Sequence, residues 1–463
     1  MNRSSGIQPY HMTKEKSRDK EEPHSKQSIL KKLLSRYLRL NLKKRDDRNA
    51  FYFVAEVFWA TFLTAATSFN AAYAIRLGAS DQEIGYLSSI GSLFAIFLSI
   101  PVGRWLQRSK HKRNLIMGSL ALYRFGFVII ALAPWINFSN MNDGTLVVIL
   151  LILFSITNRP FIIGFAPMQS EVIPPQRRAA VISTRMQIFH AVRSLSVFLL
   201  GLWLNAIIFP LNYQIMYLVT FGLSIISVIL LFKIEPPEKN EEEKKREQIK
   251  KLERLSFKDQ LKKLRLLLKD NPQFLRFILN TLAMDFGMWA TSPLFTIFYV
   301  RELGASDAWL GTYSALHSVC NIAGYAIWRP IVKRFGETRM LKWTALFRPL
   351  WTLSIALFPN LNAILVIAGA WGIIIPGLGL SSQSTYLKML PPNAREEAQS
   401  IYSTIQNISM FFSPLLGIAI AGAIGIPTTL LIFSGVRLLG SLMWMINPID
   451  APKFNKTQAE GVK

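Results

Sequence analysis

The chain alternates long apolar runs with short polar connections over most of its 463 residues. A helix of ~20 apolar residues crosses the ~30 Å hydrocarbon core of a bilayer, and a helix satisfies its own backbone hydrogen bonds there. The pattern therefore predicts an all-α polytopic membrane protein of about twelve spans. The predicted spans cover residues 50–75, 83–106, 114–136, 144–168, 179–208, 211–234, 273–300, 308–332, 339–358, 361–388, 397–424 and 427–447.

The positive charge of the chain, +25 overall, is concentrated in the N-terminal tail and in every second connection. Basic residues follow the even-numbered spans, whereas connections 137–145, 209–212, 359–362 and 424–427 contain no Lys or Arg. Lys and Arg accumulate on the cytoplasmic side of membrane proteins, so we expect a plasma-membrane protein with both termini cytoplasmic. Spread in this way, the charge does not predict a nucleic-acid partner. The basic residues concerned are Arg104, Arg108, Lys110, Lys112, Arg113, Arg177, Arg178, Lys333, Arg334, Arg339, Lys342 and Arg395.

Composition divides the chain into a basic tail (1–49), a six-helix bundle (50–234), a charged linker (235–272), a second bundle (273–447) and a short tail (448–463). Leucine and isoleucine recur at helical spacing among lysines in residues 29–38 and 249–268. These two segments predict basic amphipathic helices on the anionic inner leaflet; solvated segments with no lipid role are the alternative. The first tail carries no signal-peptide pattern, and Cys320 alone cannot form a disulfide within the chain.

An internal repeat relates the two bundles. Arg-Leu-Gly-Ala-Ser-Asp at 76–81 and Glu-Leu-Gly-Ala-Ser-Asp at 302–307 lie 226 residues apart, and Arg108 matches Arg334 at the same offset. Tyr123-Arg124 and Phe347-Arg348 follow with a two-residue slip, and Pro174-Pro175 and Pro391-Pro392 come later in each half. Parallel repeats of this kind place a solute site at the interface of two halves that rock about it.

This layout resembles the major facilitator superfamily over residues 50–447. In that family the connection after spans two and eight carries a Gly-x-Leu-x-Asp-Arg-x-Gly-Arg type motif that helps to hold the halves together on the cytoplasmic side. The resemblance implies two six-helix bundles related by pseudo-two-fold symmetry and a cytoplasmic gate. The gate positions are Gly103, Arg104, Arg108, Arg334 and Gly336, and the acidic position is occupied by Gln107 or Lys333.

Two carboxylates lie in the middle of spans: Glu56 in span 1 and Asp285 in span 7. They fall three positions apart after the repeat offset, so they occupy nearly equivalent places on corresponding helices. Ionisable groups inside a membrane are costly and indicate function, which makes both proton-coupling candidates. The alternative is that each neutralises an arginine within its own half. Arg124 and Arg348 are expected to be structural partners of carboxylates or carbonyls.

Arg159, in Asn158-Arg159-Pro160, is similar to the span-four arginine of the family's proton-coupled exporters. The Gln-Gly expected soon after it is missing, and residues 192–208 lack the span-five Gly-Pro of those exporters. His190 is a further proton-carrying candidate, with a hydrogen-bonding strut as the alternative. Candidate solute-binding residues, which could equally pack or join helices, are Trp59, Asn70, Asn158, Asn280, Trp289, Trp371, Gln383 and Gln406.

These features favour secondary active transport of a small organic solute by alternating access, with proton-coupled export as the first hypothesis. Uptake of a sugar, nucleoside or organic anion is the alternative, and the excess of mid-span arginine suits an anion. No Walker-type Gly-x4-Gly-Lys-Ser/Thr or His-Glu-x-x-His sequence is present, so neither an ATP motor, an enzyme, a metal nor another cofactor is expected. A non-transporting receptor or scaffold is the alternative from another class.

Overall fold

The computed structural model describes residues 42–109, 111–136, 141–235, 266–391, 394–446 and 449, which are helical almost throughout and contain no strand. Most of the two predicted amphipathic segments lies outside these ranges, although residues 266–270 are helical.

The first half contains six spans. Span 1 consists of α1 (Arg45–Ala66), a 3-10 turn (Thr67–Phe69) and α2 (Asn70–Arg76). Spans 2 and 3 are α3 (Asp81–Arg108) and α4 (Lys112–Leu132); span 4 is divided at Asn158 into α5 (Asp143–Thr157) and α6 (Arg159–Val172). Spans 5 and 6 are α7 (Pro175–Ala206) and α8 (Leu211–Phe232).

The second half repeats this plan. Span 7 is α9 (Pro272–Ile297), which continues as a π-helical turn (Phe298–Glu302), and span 8 is α10 (Asp307–Phe335). Span 9 is broken into α11 (Glu337–Ala345) and α12 (Arg348–Leu357). Spans 10 to 12 are α13 (Leu361–Met389), α14 (Arg395–Ile424) and α15 (Ile426–Ile446).

The repeated Leu-Gly-Ala-Ser-Asp sequence forms the same turn and helix start in both halves. Gly78 and Gly304 have φ angles of 91° and 65°, a left-handed conformation that glycine adopts without steric cost. The hydroxyls of Ser80 and Ser306 then accept a hydrogen bond from the third backbone N–H of α3 and α10. The repeat therefore encodes a glycine turn followed by a capped helix.

Nine helical segments of the described ranges are long and apolar enough to cross a membrane. Spans 7, 8 and 9 are not long and apolar enough by the same criteria, although the sequence pattern predicts them. Spans 7 and 8 are less apolar, because Ser, Thr, Asn, Gly and His interrupt their hydrophobic residues. Span 9 consists of two short helices with a break at Leu346 and Phe347.

Among the described residues, helix packing joins the halves at one face. We call this the loop face; it carries connections 77–80, 207–210 and 303–306, and the terminal face carries the opposite span ends, including Arg45 and Phe232. One apolar core runs continuously through both halves at the loop face. Towards the terminal face it is replaced by two separate cores, one in each half. The halves are therefore packed together at the loop face and apart at the terminal face.

Two helix pairs make most of this contact between the halves: α7 with α10, and α3 with α14. Gly201 and Gly311 let the backbones of α7 and α10 touch. A Cβ on Gly201 would lie 2.7 Å from the carbonyl oxygen of Asp307, and one on Gly311 would lie 2.9 Å from that of Val197. Glycine at both positions thus permits an approach that no other residue allows.

Candidate functional site: the space between the two halves

Two reciprocal ion pairs join the halves at the loop face. Arg76 donates from Nε and Nη2 to Asp307 Oδ1, at 3.3 and 3.2 Å, and from Nη2 to the Ala305 carbonyl oxygen at 3.1 Å. Arg301 makes the corresponding bonds to Asp81 and to the Ala79 carbonyl. Ala79 and Ala305 are equivalent in the repeat, as are Asp81 and Asp307. Each half therefore donates an arginine to the helix start of the other.

The two pairs differ in their surroundings. The Asp307 side chain is 7% exposed and also accepts a hydrogen bond of 2.7 Å from the Tyr213 hydroxyl, whereas that of Asp81 is 44% exposed. A surface cavity of about 590 Å³ lies beside the pairs on the loop face and is lined in part by Arg76, Arg301 and Asp307. Ion pairs gain strength as water is excluded, so Arg76–Asp307 is the stronger closure.

Glu302 follows Arg301 in the chain, and the pKa of its carboxyl group is raised. Partial burial of this largely exposed side chain is the main cause, and the negative charge of Asp81 adds to it. The ion pair of Arg301 is with Asp81.

The predicted gate residues lie at the terminal face. Arg104, Arg108 and Arg334 are exposed, and the guanidinium of Arg334 lies 5.5 Å from the ring of Phe335 beside it. Gly336, with a φ of 84°, ends α10, and Gly103 faces Ile163. The hydrogen bonds and ion pairs described between the halves lie at the loop face, so this conformation is closed there.

Glu56 lies in a buried polar cluster of the first half. Its side chain is 3% exposed, forms an ion pair with Arg185 and accepts a hydrogen bond of 3.1 Å from Ser227 Oγ. Arg124 donates to the same hydroxyl at 2.9 Å and to the Ser224 carbonyl. The cluster ties together spans 1, 3, 5 and 6.

Asp285 occupies the corresponding cluster of the second half. It forms an ion pair with Arg348 and lies 3.4 Å from Gln406 Nε2, which in turn donates to the Tyr402 hydroxyl at 3.0 Å. Arg437 donates to Thr352 beside this cluster. Each carboxylate thus contacts an arginine of its own half, as the structural alternative predicts. The Asp285 side chain is 14% exposed, so it remains more accessible than Glu56.

Arg159 and Arg193 have no carboxylate among their described partners. Arg159 donates from Nη2 to the Gly91 carbonyl of α3, and Arg193 from Nη2 to Ser68 Oγ at 3.3 Å. In both residues Nε is buried and makes no hydrogen bond in the described part of the chain. Arg193 lies one turn from Val197 on the α7 face that meets α10, and His317 of α10 is within its electrostatic reach. His190, one turn before Arg193, is exposed.

The structure distributes the predicted solute-binding residues among several environments. Trp59 is partly exposed beside Phe58 and Phe62, Gln383 is exposed, and Asn280 is fully buried. Asn70 accepts a hydrogen bond of 2.9 Å from Tyr217, and the ring of Trp371 packs at a tilt against that of Trp351, with centroids 5.6 Å apart. Asn158 Oδ1 and Trp289 Nε1 are buried without a hydrogen bond in the described ranges. Gln406 reaches the intramembrane carboxylate of Asp285.

The sequence interpretation missed Arg437 and the loop-face pairs. Arg437 is the one cation of α15, an otherwise apolar helix of 21 residues. A single charge in so apolar a span is a sequence feature that identifies a buried, partnered residue. No group of three or more His, Cys, Asp and Glu side chains that could hold a metal ion occurs in the ranges described.

Together, the helical spans, the paired cores and the charged residues between the halves define a polytopic membrane transporter. The chain matches the model of the Major Facilitator Superfamily over residues 50–386 and 277–463, and it belongs to that family. Membership makes it a secondary transporter of a solute rather than an enzyme, as the sequence resemblance implies.

Solved structures of other transporters share the fold at low sequence identity. A bacterial homologue of the human lysosomal transporter Spinster, inward-facing and unoccupied, is 13% identical, with a TM-score of 0.59 over 87% of this chain and 97% of that one. The nucleoside transporter NupG is 13% identical (TM-score 0.59, 86% and 98%). The xylose transporter XylE from E. coli is 14% identical (TM-score 0.58, 88% and 96%). No curated protein sequence matches the chain.

Proposed function

We propose that this protein carries a small organic solute across the cell membrane by alternating access and couples that movement to protons. The observation that carries the proposal is the asymmetry of the packing. One core and two reciprocal ion pairs close the loop face, while separate cores leave the terminal face open. With the basic connections and both termini in the cytoplasm, the conformation is inward-facing.

Opening to the other side requires the loop face to separate. Arg301–Asp81 is largely exposed, so its partners exchange each other for water at little cost in free energy, whereas Arg76–Asp307 must first be rehydrated. The contact of Gly201 with Gly311 and the shared apolar core must also open. Solute and protons must therefore stabilise the alternative state enough to offset these contacts.

Asp285 is our candidate for the coupling site, with Arg348 as its partner. Its side chain is more accessible than that of Glu56, and protonation would release Arg348 and Gln406 from it. Arg159 and His190 remain secondary candidates. A protein with a similar fold is described as a D-xylose–proton symporter, and that likeness supports coupling to protons in this chain as well.

Export is the direction that we propose, on the likeness of Arg159 to the span-four arginine of proton-coupled exporters. The test compares proton-driven dye accumulation in inverted vesicles, whose outer surface is the cytoplasmic face, with solute uptake by intact cells, both for the native chain and for Asp285→Asn. Export predicts accumulation in the vesicles that collapses when the proton gradient is removed and is lost in Asp285→Asn. Proton-dependent uptake alone would establish the alternative direction, and the failure of any solute to cross reconstituted vesicles would favour a receptor.

A further inference from the structure

Arginines outnumber carboxylates at the middle of the described spans. Glu56 and Asp285 are the two carboxylates there, and both are engaged in ion pairs. The arginines at this depth are Arg124, Arg159, Arg185, Arg193, Arg348 and Arg437. The spans therefore hold a positive charge that their own side chains leave uncompensated.

The excess charge is not evenly distributed. Arg185 and Arg348 contact the carboxylates, and Arg124 and Arg437 lie beside them within electrostatic reach. Arg159 and Arg193 instead bond to a carbonyl and a hydroxyl, and each leaves Nε buried without a bond in the described residues. A charged group held inside a membrane without a counter-charge is costly, so such residues mark a binding pathway.

Arg193 lies where a solute between the halves would meet it. It shares the inner face of α7 with Val197 and Gly201, which contact α10, and its charge reaches His317 on α10. His317 begins a row of aromatic ring contacts within the second half, which we call the His317–Trp351 wall. The His317 and Trp351 ring centroids are 6.3 Å apart, and those of Trp351 and Trp371 are 5.6 Å apart.

We infer that the space between Arg193 of α7 and His317 of α10 binds a small organic anion. Arg193 holds the oxyanion, and the flat apolar body of the anion lies against the His317–Trp351 wall. Arg159 supplies a second positive charge on the wall of the first half. This assignment names the substrate class of the site and rests on the proposed transport function. The shared chemistry is that of an oxyanion, either a carboxylate or a phosphate ester.

The chemistry of the guanidinium supports this assignment over a neutral or cationic solute. Arginine presents its N–H donors in a planar fork that matches the two oxygens of an oxyanion. Ser68, whose Oγ already accepts from Arg193, retains a hydroxyl proton to donate. A sugar would leave the positive charge uncompensated, and an amine would be repelled by it.

The test uses ligands that share one ring and differ in charge. The purified full chain in detergent is heated with benzoate, phenyl phosphate, benzamide or benzylamine at matched ionic strength, and with inorganic phosphate as the ringless control. Benzoate or phenyl phosphate should raise the melting temperature, and whichever does so identifies the oxyanion. Stabilisation by benzamide or benzylamine as large as that by the anions would overturn the inference, as would no response to either anion. An equal response to inorganic phosphate would overturn the aromatic part.

Substitutions test whether Arg193 is the residue that binds the anion. Arg193→Gln should weaken anion binding by about 10- to 100-fold, because a hydrogen bond to a charged group is lost, and Arg193→Lys should weaken it less. Arg339→Gln removes one exposed positive charge from α11 and should leave binding unchanged. Full anion binding by Arg193→Gln would refute the assignment.

Flux measurements separate this inference from the proposed function. If the chain binds the anions but carries none of them across reconstituted vesicles, the transport proposal fails and the anion site stands. If it carries benzamide or benzylamine but neither anion, transport stands and the anion site fails.

Discussion

Arg76 and Asp307 come from opposite halves of the chain and meet at the loop face, with two hydrogen bonds of 3.3 and 3.2 Å to one carboxylate oxygen. The Tyr213 hydroxyl binds the same oxygen. Three helices thus converge on a single buried atom, so this contact should control the stability of the closed loop face.

Arg76→Ala should therefore shift the protein towards the conformation open at the loop face. In a Cys320→Ala background, a cysteine at Val197, which is 2% exposed in this state, reports that opening through its reaction with a thiol reagent. We expect labelling to accelerate several-fold, because about 1 kcal/mol of closure is lost. Arg301→Ala is the matched comparison and should have the smaller effect, since Asp81 is far more exposed than Asp307. Equal acceleration in the two variants would contradict the assignment of Arg76–Asp307 as the stronger closure.

The contact between Gly201 and Gly311 gives a second prediction. Gly201→Ala places a methyl group 2.7 Å from the Asp307 carbonyl oxygen, so α7 and α10 must move apart. The cost should be about 1–3 kcal/mol, seen as a lower melting temperature together with faster labelling at Val197→Cys. Gly222→Ala is the control, because nothing lies within 4 Å of its added Cβ and alanine favours the helix. Unchanged stability in Gly201→Ala would show that this interface does not need glycine.

The sequence predicts structural features that depend on residues adjacent in the chain, and it does not predict contacts between distant residues. Span positions, the turns at Gly78 and Gly304 and the break at Asn158 depend on residues adjacent in the chain, and the structure has the helices close to the predicted spans. The reciprocal ion pairs do not follow in this way. The repeat aligns Arg76 with Glu302, a residue of opposite charge, whereas the arginine with the equivalent role is its neighbour Arg301. Only the approach of the two halves shows that pairing.

The site residues follow the same rule. The positions of Glu56 and Asp285 identify costly charges, but their partners come from other helices. Arg348 was expected to pair with a carboxylate and does so. Arg185 of α7 is buried against Glu56, a residue of another helix. Burial of that kind depends on helix packing, which periodicity in one span does not specify.

Glu56 and Asp285 should respond differently to neutralisation. Glu56→Gln leaves Arg185 buried without its carboxylate, and breaking such a pair costs about 3–5 kcal/mol, so the variant should lose much of its stability or fail to fold. Asp285→Asn lies in the more accessible cluster and should fold with a smaller loss but no longer respond to a proton gradient in vesicles. Melting temperature and gradient-driven flux of both variants check this. Gradient-driven flux that persists in Asp285→Asn would remove Asp285 as the coupling site.

The raised pKa of Glu302 gives the loop face a dependence on pH. Burial and the charge of Asp81 disfavour its ionised form in the closed state, so the closed state binds the proton more tightly than an open, hydrated one does. The closed loop face is therefore most stable at a pH below 4.5, the ordinary pKa of a glutamate. It weakens as the pH rises through the raised pKa of Glu302. Labelling at Val197→Cys, divided at each pH by the labelling rate of a free cysteine to remove the ionisation of the thiol itself, should accelerate over that interval.

Glu302→Gln should abolish this acceleration and keep labelling slow at neutral pH. Glu337, at the terminal face, provides the opposite case. Its pKa is lowered by the hydrogen bond from Lys388 and by its own backbone N–H. The contact of its carboxylate with Lys388 therefore stabilises the protein above pH 4.5 and is lost as the pH falls. Glu337→Gln should therefore leave the pH profile of loop-face labelling unchanged. A profile that stays steep in Glu302→Gln, or flattens equally in Glu337→Gln, would show that another group titrates at the loop face.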